Sequence, residues 1–255
     1  MLTGTELALA GFAAFAAGII NALAGGGTLV SFPALIAIGI PEVAANITNT
    51  VALCPGYLGG SLAQRKDLAG QGRRLRLFLP AGILGGIAGG VLLLVTGAQV
   101  FRALVPFLIL LASFLLAVRN RLRDWISNSW DRHLPGDDGA AKALVPVSLT
   151  AVYGGYFGAG QSVIILSVLG LFISDNLTRL NALKQCITLA SNVAAAVFFL
   201  FSGMIIWPVA AVMAAGALAG GAAGGRFAGY INPELLRWTV AGIGLVAGTV
   251  LLVRL

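Results

Sequence analysis

The chain has 255 residues, of which 58% are hydrophobic and only 10% are charged, and its mean hydropathy is +0.96. A soluble domain is about a quarter charged because its surface faces water, so this composition excludes an ordinary soluble protein. Long, continuous apolar runs predict transmembrane helices of roughly 20 residues, and not the alternating strands of a membrane barrel. The net charge of +7 comes from basic residues in short connections. It predicts a lipid bilayer, and no nucleic acid, as a partner.

Ten apolar segments follow one another along the chain, bounded by charged residues or by glycine and proline. We interpret eight of them as main spans and two as short pieces, and we predict an all-α polytopic membrane protein. The main spans are S1 (Thr5–Ala24), S2 (Val43–Leu62), S3 (Leu77–Thr96), S4 (Phe101–Val118), S5 (Ala143–Phe157), S6 (Leu177–Phe201), S7 (Ile205–Gly224) and S8 (Trp238–Val253). The short pieces are S1b (Thr28–Ile40) and S5b (Ser162–Ile173).

Neither short piece is long enough to cross a membrane alone. Each has about a dozen residues, and at about 1.5 Å per residue this length falls well short of a hydrocarbon core of roughly 30 Å. S1b follows the break Gly25-Gly26-Gly27-Thr28, and S5b follows the break Gly158-Ala159-Gly160-Gln161-Ser162. Such breaks are tolerated only where protein or water covers the backbone. We therefore predict a broken or re-entrant helix in each half.

The two halves repeat one order of segments: a break, a short piece, a span with a polar start and a glycine-rich span. Basic residues concentrate in the S2–S3, S4–S5 and S7–S8 connections, which the positive-inside rule places in the cytoplasm. The halves then cross the bilayer in opposite directions, as an inverted-topology repeat with both termini outside. We divide the chain into a first repeat (1–118), a cytoplasmic charged linker (119–142) and a second repeat (143–255).

Glycines lie four residues apart on S3 and S7, and small residues at this spacing let membrane helices touch closely. They are Gly85, Gly86, Gly89 and Gly90 on S3, and Gly216, Gly220, Gly221, Gly224 and Gly225 on S7. We therefore expect S3 and S7 to pack against neighbouring helices at short range.

The second half reads Gly154-Gly155-Tyr156-Phe157-Gly158-Ala159-Gly160-Gln161 and then Arg179-Leu180-Asn181-Ala182-Leu183-Lys184. With the first break, Pro33 and the stretch 46–50, these motifs make the whole chain resemble the TauE/SafE family of membrane permeases. The resemblance implies a transporter, commonly an exporter, of sulfur-containing anions such as sulfite, sulfonates or sulfoacetate. Where that family often has Gly-Gly after the second break, this chain has Gln161-Ser162.

The two breaks are the candidate anion site. A helix N-terminus carries about half a positive charge and has unpaired N–H groups, so half-helices that begin at Thr28 and Ser162 would direct donors at one point near the midplane. The alternative is that the glycines serve only close helix packing. The substrate-binding candidates at the breaks are Gly25, Gly26, Gly27, Thr28, Gly158, Gly160, Gln161 and Ser162.

Polar residues also form a stripe on S6 and a shorter stripe on S2. They recur at three- and four-residue steps, which places them on one face of a helix. Polar side chains within a membrane face protein or a cavity, so the stripes predict either substrate contact or hydrogen bonds between helices. The binding candidates are Asn46, Asn49 and Thr50 on S2 and Asn181, Lys184 and Gln185 on S6, and Thr188, Ser191 and Asn192 complete the S6 stripe.

Lys184 is the most informative single residue, because a lysine near the membrane centre costs at least about 2.5 kcal/mol. One interpretation is an anchor whose ammonium reaches the cytoplasmic headgroups. The other is a cation that faces the anion pathway. These alternatives make opposite predictions for the effect of Lys184→Gln on anion binding.

Catalytic, metal and cofactor sites are not predicted. The single histidine, His133, lies in the charged linker, and every carboxylate lies in a connection or at the end of a span. A metal site, a catalytic triad and a buried proton relay are therefore not expected. We predict an anion transporter of the inner membrane that works by alternating access, and not an enzyme. An anion channel or an uptake permease for another small anion is the alternative, and a homo-oligomer remains open.

Overall fold

The computed structural model describes residues 2–23, 25–129, 138–226 and 233–253, and within these ranges all regular structure is helical. The helices are α1 (Gly4–Leu23), α2 (Thr28–Ala37), α3 (Glu42–Ala63), α4 (Gly72–Ser129), α5 (Asp138–Tyr156), α6 (Gln161–Phe172), α7 (Leu177–Phe199), α8 (Trp207–Arg226) and α9 (Pro233–Val253), with a 3₁₀ turn at Arg65–Leu68. The predicted all-α fold class is confirmed.

Helix α4 contains both S3 and S4. Its 58 residues, at about 1.5 Å each, are much longer than one crossing of roughly 30 Å. The backbone leaves the helical region at Gly97, where φ is +76° and ψ is 160°. Glycine adopts this conformation without a steric penalty, so α4 consists of two arms, 72–96 and 98–129. Each of the ten predicted segments therefore has a helical counterpart.

Five of the described helical stretches are long and apolar enough to cross a membrane, judged by length and composition. They are Gly4–Leu23, Gly72–Arg121, Leu177–Phe199, Trp207–Gly224 and Glu234–Val253. The chain is thus a multi-pass membrane protein, while the count of eight main spans stays a prediction. Thr28–Ala37 and Gln161–Phe172 are short apolar helices, at the positions predicted for S1b and S5b.

The charged linker (119–142) is more helical than its low hydropathy suggests. Helix α4 continues to Ser129 and α5 begins at Asp138. Arg, Leu, Asn and Ser in the sequence after Val118 are compatible with a helix, so a helix continues where the apolar segment ends. The prediction that His133 is a solvated loop residue lies outside the described residues.

The glycine-rich faces allow backbone to approach backbone. A methyl group on Gly86 would overlap the Ser191 carbonyl oxygen, and one on Gly89 would overlap the Val152 carbonyl oxygen. The first arm of α4 therefore lies directly against α7 and α5. Helix α8 approaches α1 in the same way, since a methyl group on Gly220 would overlap the Phe15 carbonyl oxygen. Close packing was the expected role for these glycines.

We expect Gly89→Ala to destabilise the protein, because the added methyl group must push α4 away from α5. Overpacking of a well-filled interior typically costs about 1–3 kcal/mol. The thermal unfolding midpoint in detergent should therefore fall. Gly242→Ala is the matched control, since nothing lies within 4 Å of a methyl group at Gly242. Equal midpoints for the two variants would contradict the close contact between α4 and α5.

The two halves are interlocked rather than side by side. Helix α1 packs on α8 of the second half, and α5 packs on α4 of the first half. At the centre, α3 and α7 run antiparallel. Asn181 near the start of α7 donates to Gln64 Oε1 just after α3 at 2.8 Å. Further along, the Cys54 thiol of α3 lies 3.7 Å from the Asn192 carbonyl oxygen of α7.

Ion pairs mark the two opposite ends of this central pair. At the start of α3, Glu42 lies 3.4 Å from Arg102. At the start of α7, the Asp175 carboxylate pairs with Arg74 and lies 2.9 Å from Arg179. Burial alone would raise the pKa of Asp175, but hydrogen bonds from Arg74 and Arg179 outweigh it and hold the pKa below its usual value. The connections that follow α2 and α6 therefore lie at opposite ends of the molecule.

Candidate functional site

Both breaks have the backbone geometry that only glycine adopts easily. In the first break φ is +75° at Gly25 and +93° at Gly26. In the second break φ is +78° at Gly158 and +74° at Gly160. Positive φ values of this kind are unfavourable for residues that carry a Cβ atom. Two glycines thus reverse the chain before each short helix, in a matched way in both halves.

The two breaks meet at one cavity. A methyl group placed on Gly25 would lie only 2.9 Å from the Ser162 Oγ of α6, so the first break rests against the first turn of the opposite short helix. The cavity between them has a volume of about 20 Å³, which is room for about one water molecule. It is lined by Asn21, Gly25, Gly26, Thr28, Tyr57, Gly158, Gly160, Ser162, Lys184, Gln185 and Thr188.

The N-termini of α2 and α6 face this cavity without a capping side chain. Their N-cap residues are Gly27 and Gly160, which have no side chain that could accept from the first-turn N–H groups. The Gly27 N–H itself donates to Asn21 Oδ1 at 2.8 Å, and this bond ties the break to α1. Polar donors at a helix N-terminus favour an anion.

Lys184 is the one charged side chain among the described residues that line the cavity. The residue is 7% exposed, so its ammonium lies within the protein. The ammonium donates to Asn181 Oδ1 at 2.7 Å, and the Asn181 amide donates to Gln64 Oε1 at 2.8 Å. A buried cation with a neutral partner is an unbalanced charge that an anion would neutralise.

Eight of the fourteen predicted site residues line the cavity, and six lie elsewhere. Asn46 donates to the Tyr156 carbonyl oxygen at 2.9 Å, and Gln161 bonds to both Ser191 and Asn192 on α7. Both side chains connect helices, and for Asn46 this is the alternative that the polar stripes left open. The six residues outside the cavity lining are Gly27, Asn46, Asn49, Thr50, Gln161 and Asn181.

Three lining residues were not among the predicted site residues: Asn21, Tyr57 and Thr188. Thr188 belongs to the S6 stripe, which gave equal weight to a structural role. Asn21 is a polar residue one turn before a break inside an apolar helix, and this signal could have identified it. Tyr57 has no such signal, because an aromatic residue in a membrane helix is ordinary.

Aromatic side chains close the cavity toward the end that contains Glu42 and Arg102. Phe157 follows Tyr156 directly before the second break, and its ring lies 5.2 Å from that of Phe32 on α2. Phe101 packs edge-on against Tyr156 at 5.5 Å and against Phe157 at 6.3 Å. Phe32, Phe101 and Phe157 are at most 2% exposed. These four residues form one packed aromatic cluster (Phe32, Phe101, Tyr156 and Phe157).

The model of the family described as sulfite exporter TauE/SafE matches residues 10–251 of the chain. The chain belongs to the TauE/SafE family. Members of this family are membrane transporters and not enzymes, which confirms both the resemblance and the predicted class of protein. The expectations about substrate, direction and mechanism go further than this match.

Curated relatives agree with the family assignment. A protein of Haemophilus influenzae named "Probable membrane transporter protein" is 29% identical over 223 residues, which are 88% of this chain and 85% of the relative. YfcA of Escherichia coli K12, with a similar name, is 25% identical over 94% of this chain and 87% of its own length. ORF9 of a Sinorhizobium species is 28% identical over 85% of this chain and 80% of its own length. No solved structure matches the chain.

Proposed function

We propose that this TauE/SafE protein exports small sulfur-containing anions, such as sulfite, sulfonates or sulfoacetate, across the inner membrane. The observation that carries the proposal is the convergence of two uncapped helix N-termini and Lys184 on one cavity. Sulfite and sulfonate groups present three oxygen acceptors, which suits N–H donors arriving from two directions. Thr28, Ser162 and Gln185 add polar groups from three helices to the same cavity.

Electrostatics favours an anion at this place. Each helix N-terminus contributes about half a positive charge, and the protonated form of Lys184 adds to it. No described carboxylate lines the cavity, so an anion there meets attraction without a nearby repelling charge. Desolvation of the anion is costly, and paired donors at short range are the arrangement that offsets such a cost.

The small volume of the cavity favours alternating access over a channel. A space of about 20 Å³ holds roughly one water molecule and no sulfur oxyanion. The aromatic cluster also blocks one side. An anion therefore enters and leaves only when the surrounding helices move, as in transporters that rock about a midplane site.

The helix arrangement supports an inverted repeat. Helices α3 and α7 hold corresponding places in the two halves, yet they run antiparallel, as inversion requires. The packing is also reciprocal: α1 with α8 corresponds to α5 with the first arm of α4. With an inside-negative potential of about 100 mV, exit of an anion is favoured by about 2.3 kcal/mol per charge. Export therefore needs no coupling ion.

The topology gives a test that is independent of the substrate. We expect the linker (119–142) to face the cytoplasm and both termini to lie outside, because basic residues concentrate on one side. Single cysteines introduced into a cysteine-free variant at Lys142 and Leu2 should react with an impermeant maleimide on intact cells only at position 2. Labelling of the linker from outside would contradict the inverted repeat.

Binding to the purified protein tests the substrate class. Calorimetric titration with sulfite, sulfate, sulfoacetate and taurine should give saturable binding for at least one of the sulfur-containing anions. Taurine, whose sulfonate is accompanied by an ammonium group, should bind more weakly than sulfoacetate if Lys184 faces the ligand. Binding of none of the four compounds would contradict the proposed substrate class.

A further inference from the structure

A second cavity lies beside the first, at the end of the molecule that contains the start of α7. Its volume is about 640 Å³, which is ample for a hydrated oxyanion. Polar and charged residues dominate its described lining. They are Gln64, Arg119, Asn120, Thr178, Asn181, Glu234 and Arg237, together with Leu23, Leu166 and Leu177. We call this space the vestibule.

The vestibule adjoins the break cavity through one hydrogen-bonded pair. Asn181 lines the vestibule, Lys184 lines the break cavity, and the two side chains share the 2.7 Å hydrogen bond. Gln64, on the opposite helix, accepts from the same Asn181. An anion that passes between the two spaces on this side therefore moves past Asn181 and onto Lys184.

Arg237 is an unusual residue for a vestibule wall, because its side chain is only 5% exposed. One Nη donates to the Ala117 carbonyl oxygen at 3.1 Å, and the other donates to Glu234 at 3.1 Å. Its guanidinium carbon also lies 5.0 Å from the Trp238 ring centre. The Nε donor is buried and has no hydrogen-bond partner. A buried charged group with an unused donor is costly unless a ligand uses it.

We propose that the vestibule is a recruitment site for the anion, in which Arg237 and Arg119 attract it and pass it past Asn181 to Lys184. The proposal rests on the proposed function for the identity of the final site. Among the described residues that line the vestibule, two are arginines and one, Glu234, is a carboxylate, so these residues together carry a net positive charge. A positive cleft raises the local concentration of an anion and the rate at which it arrives.

The competing explanation is that Arg237 only ties α9 to α4 through the Ala117 carbonyl. A guanidinium that serves only as a tie faces away from the vestibule and is neutralised by Glu234, so its removal would lower stability and leave the potential at the vestibule wall nearly unchanged. The two explanations therefore differ in a measurable property of the vestibule. This property does not depend on which anion is transported.

The test measures charge selectivity at Thr178, an exposed residue of the vestibule wall. In a Cys54→Ala, Cys186→Ala background, the thiol introduced by Thr178→Cys reacts with two methanethiosulfonates, one carrying a sulfonate and one a quaternary ammonium. The ratio of the two rate constants reports the local potential. We expect Arg237→Gln to lower the anion-to-cation ratio by roughly three-fold or more, and Arg237→Lys to keep it.

Arg102→Gln is the matched control, since it removes the same charge at the opposite end of the molecule, where the side chain is 62% exposed. It should leave the ratio unchanged. If Arg237→Gln does not fold, the Arg119→Gln variant carries the same test. An unchanged ratio in the variant, or an equal change with Arg102→Gln, would overturn the recruitment site. If Arg237→Gln lowers the anion-to-cation ratio but the protein binds no sulfur-containing anion, the recruitment site is supported and the proposed substrate is overturned.

Discussion

Lys184→Gln should lower the affinity of the purified protein for its sulfur-containing anion by roughly ten-fold or more. A charge interaction of one to a few kcal/mol corresponds to this change, and the ammonium lies in a cavity lined by both breaks. Lys184→Arg keeps the positive charge and should retain more of the affinity. Calorimetric titration of the two variants measures the difference. Thermal unfolding of both variants checks that the fold is kept.

The control for this prediction is Lys142→Gln, which makes the same chemical change at an exposed residue of α5. Its anion affinity should equal that of the unaltered protein. If Lys184→Gln also retained full affinity, Lys184 would be an anchor and not a ligand. The two helix N-termini would then be the remaining source of positive potential in the cavity.

Gly26→Leu and Gly160→Leu should abolish transport while the protein still inserts. Each position has a positive φ, which costs a residue with a Cβ roughly 1–2 kcal/mol. A Cβ atom at position 26 would also lie 3.3 Å from Leu116, and a Cβ atom at position 160 would lie 3.3 Å from Ala112. Both effects displace the half-helix N-termini from the cavity. Uptake or efflux in proteoliposomes, normalised to inserted protein, gives the measurement.

Gly221→Leu is the control for bulk alone, because nothing lies within 4 Å of a Cβ atom at this α8 position and its φ is not positive. This variant should transport normally. Normal transport by both break variants would mean that the breaks are packing features and that the anion binds elsewhere. If all three variants failed to insert into the membrane, their loss of transport would result from lower stability and not from damage to the site.

The helices were predictable because the signal is coarse and strong. A run of apolar residues bounded by charge or glycine fixes where a membrane helix lies, whatever it packs against. The short helices α2 and α6 were predictable for the same reason, since a dozen apolar residues after a glycine break cannot span. The end of α4 at Ser129 was not predictable in this way. The apolar segment ends at Val118, whereas the residues that follow it still favour a helix.

The sequence predicts where the candidate site lies in the fold, but it identifies only some of the residues that line the cavity. The glycine breaks identify a place in the fold, and the structure brings both to one cavity. Which polar side chain faces that cavity depends on contacts between distant helices, and no local pattern encodes them. Gln161 lies in the break itself, yet it bonds to Ser191 and Asn192. Tyr57 lines the cavity from the middle of α3 without any local signal.

Concentration-dependent flux of radiolabelled sulfite in proteoliposomes tests the anion site and alternating access together. With an imposed potential, efflux from the negative interior should saturate with sulfite concentration and should be lost in Lys184→Gln at low concentration. Sulfoacetate should compete with sulfite for the same site. Flux that rises linearly without saturation would contradict an anion site with alternating access, and saturable flux that Lys184→Gln leaves unchanged would remove Lys184 from that site.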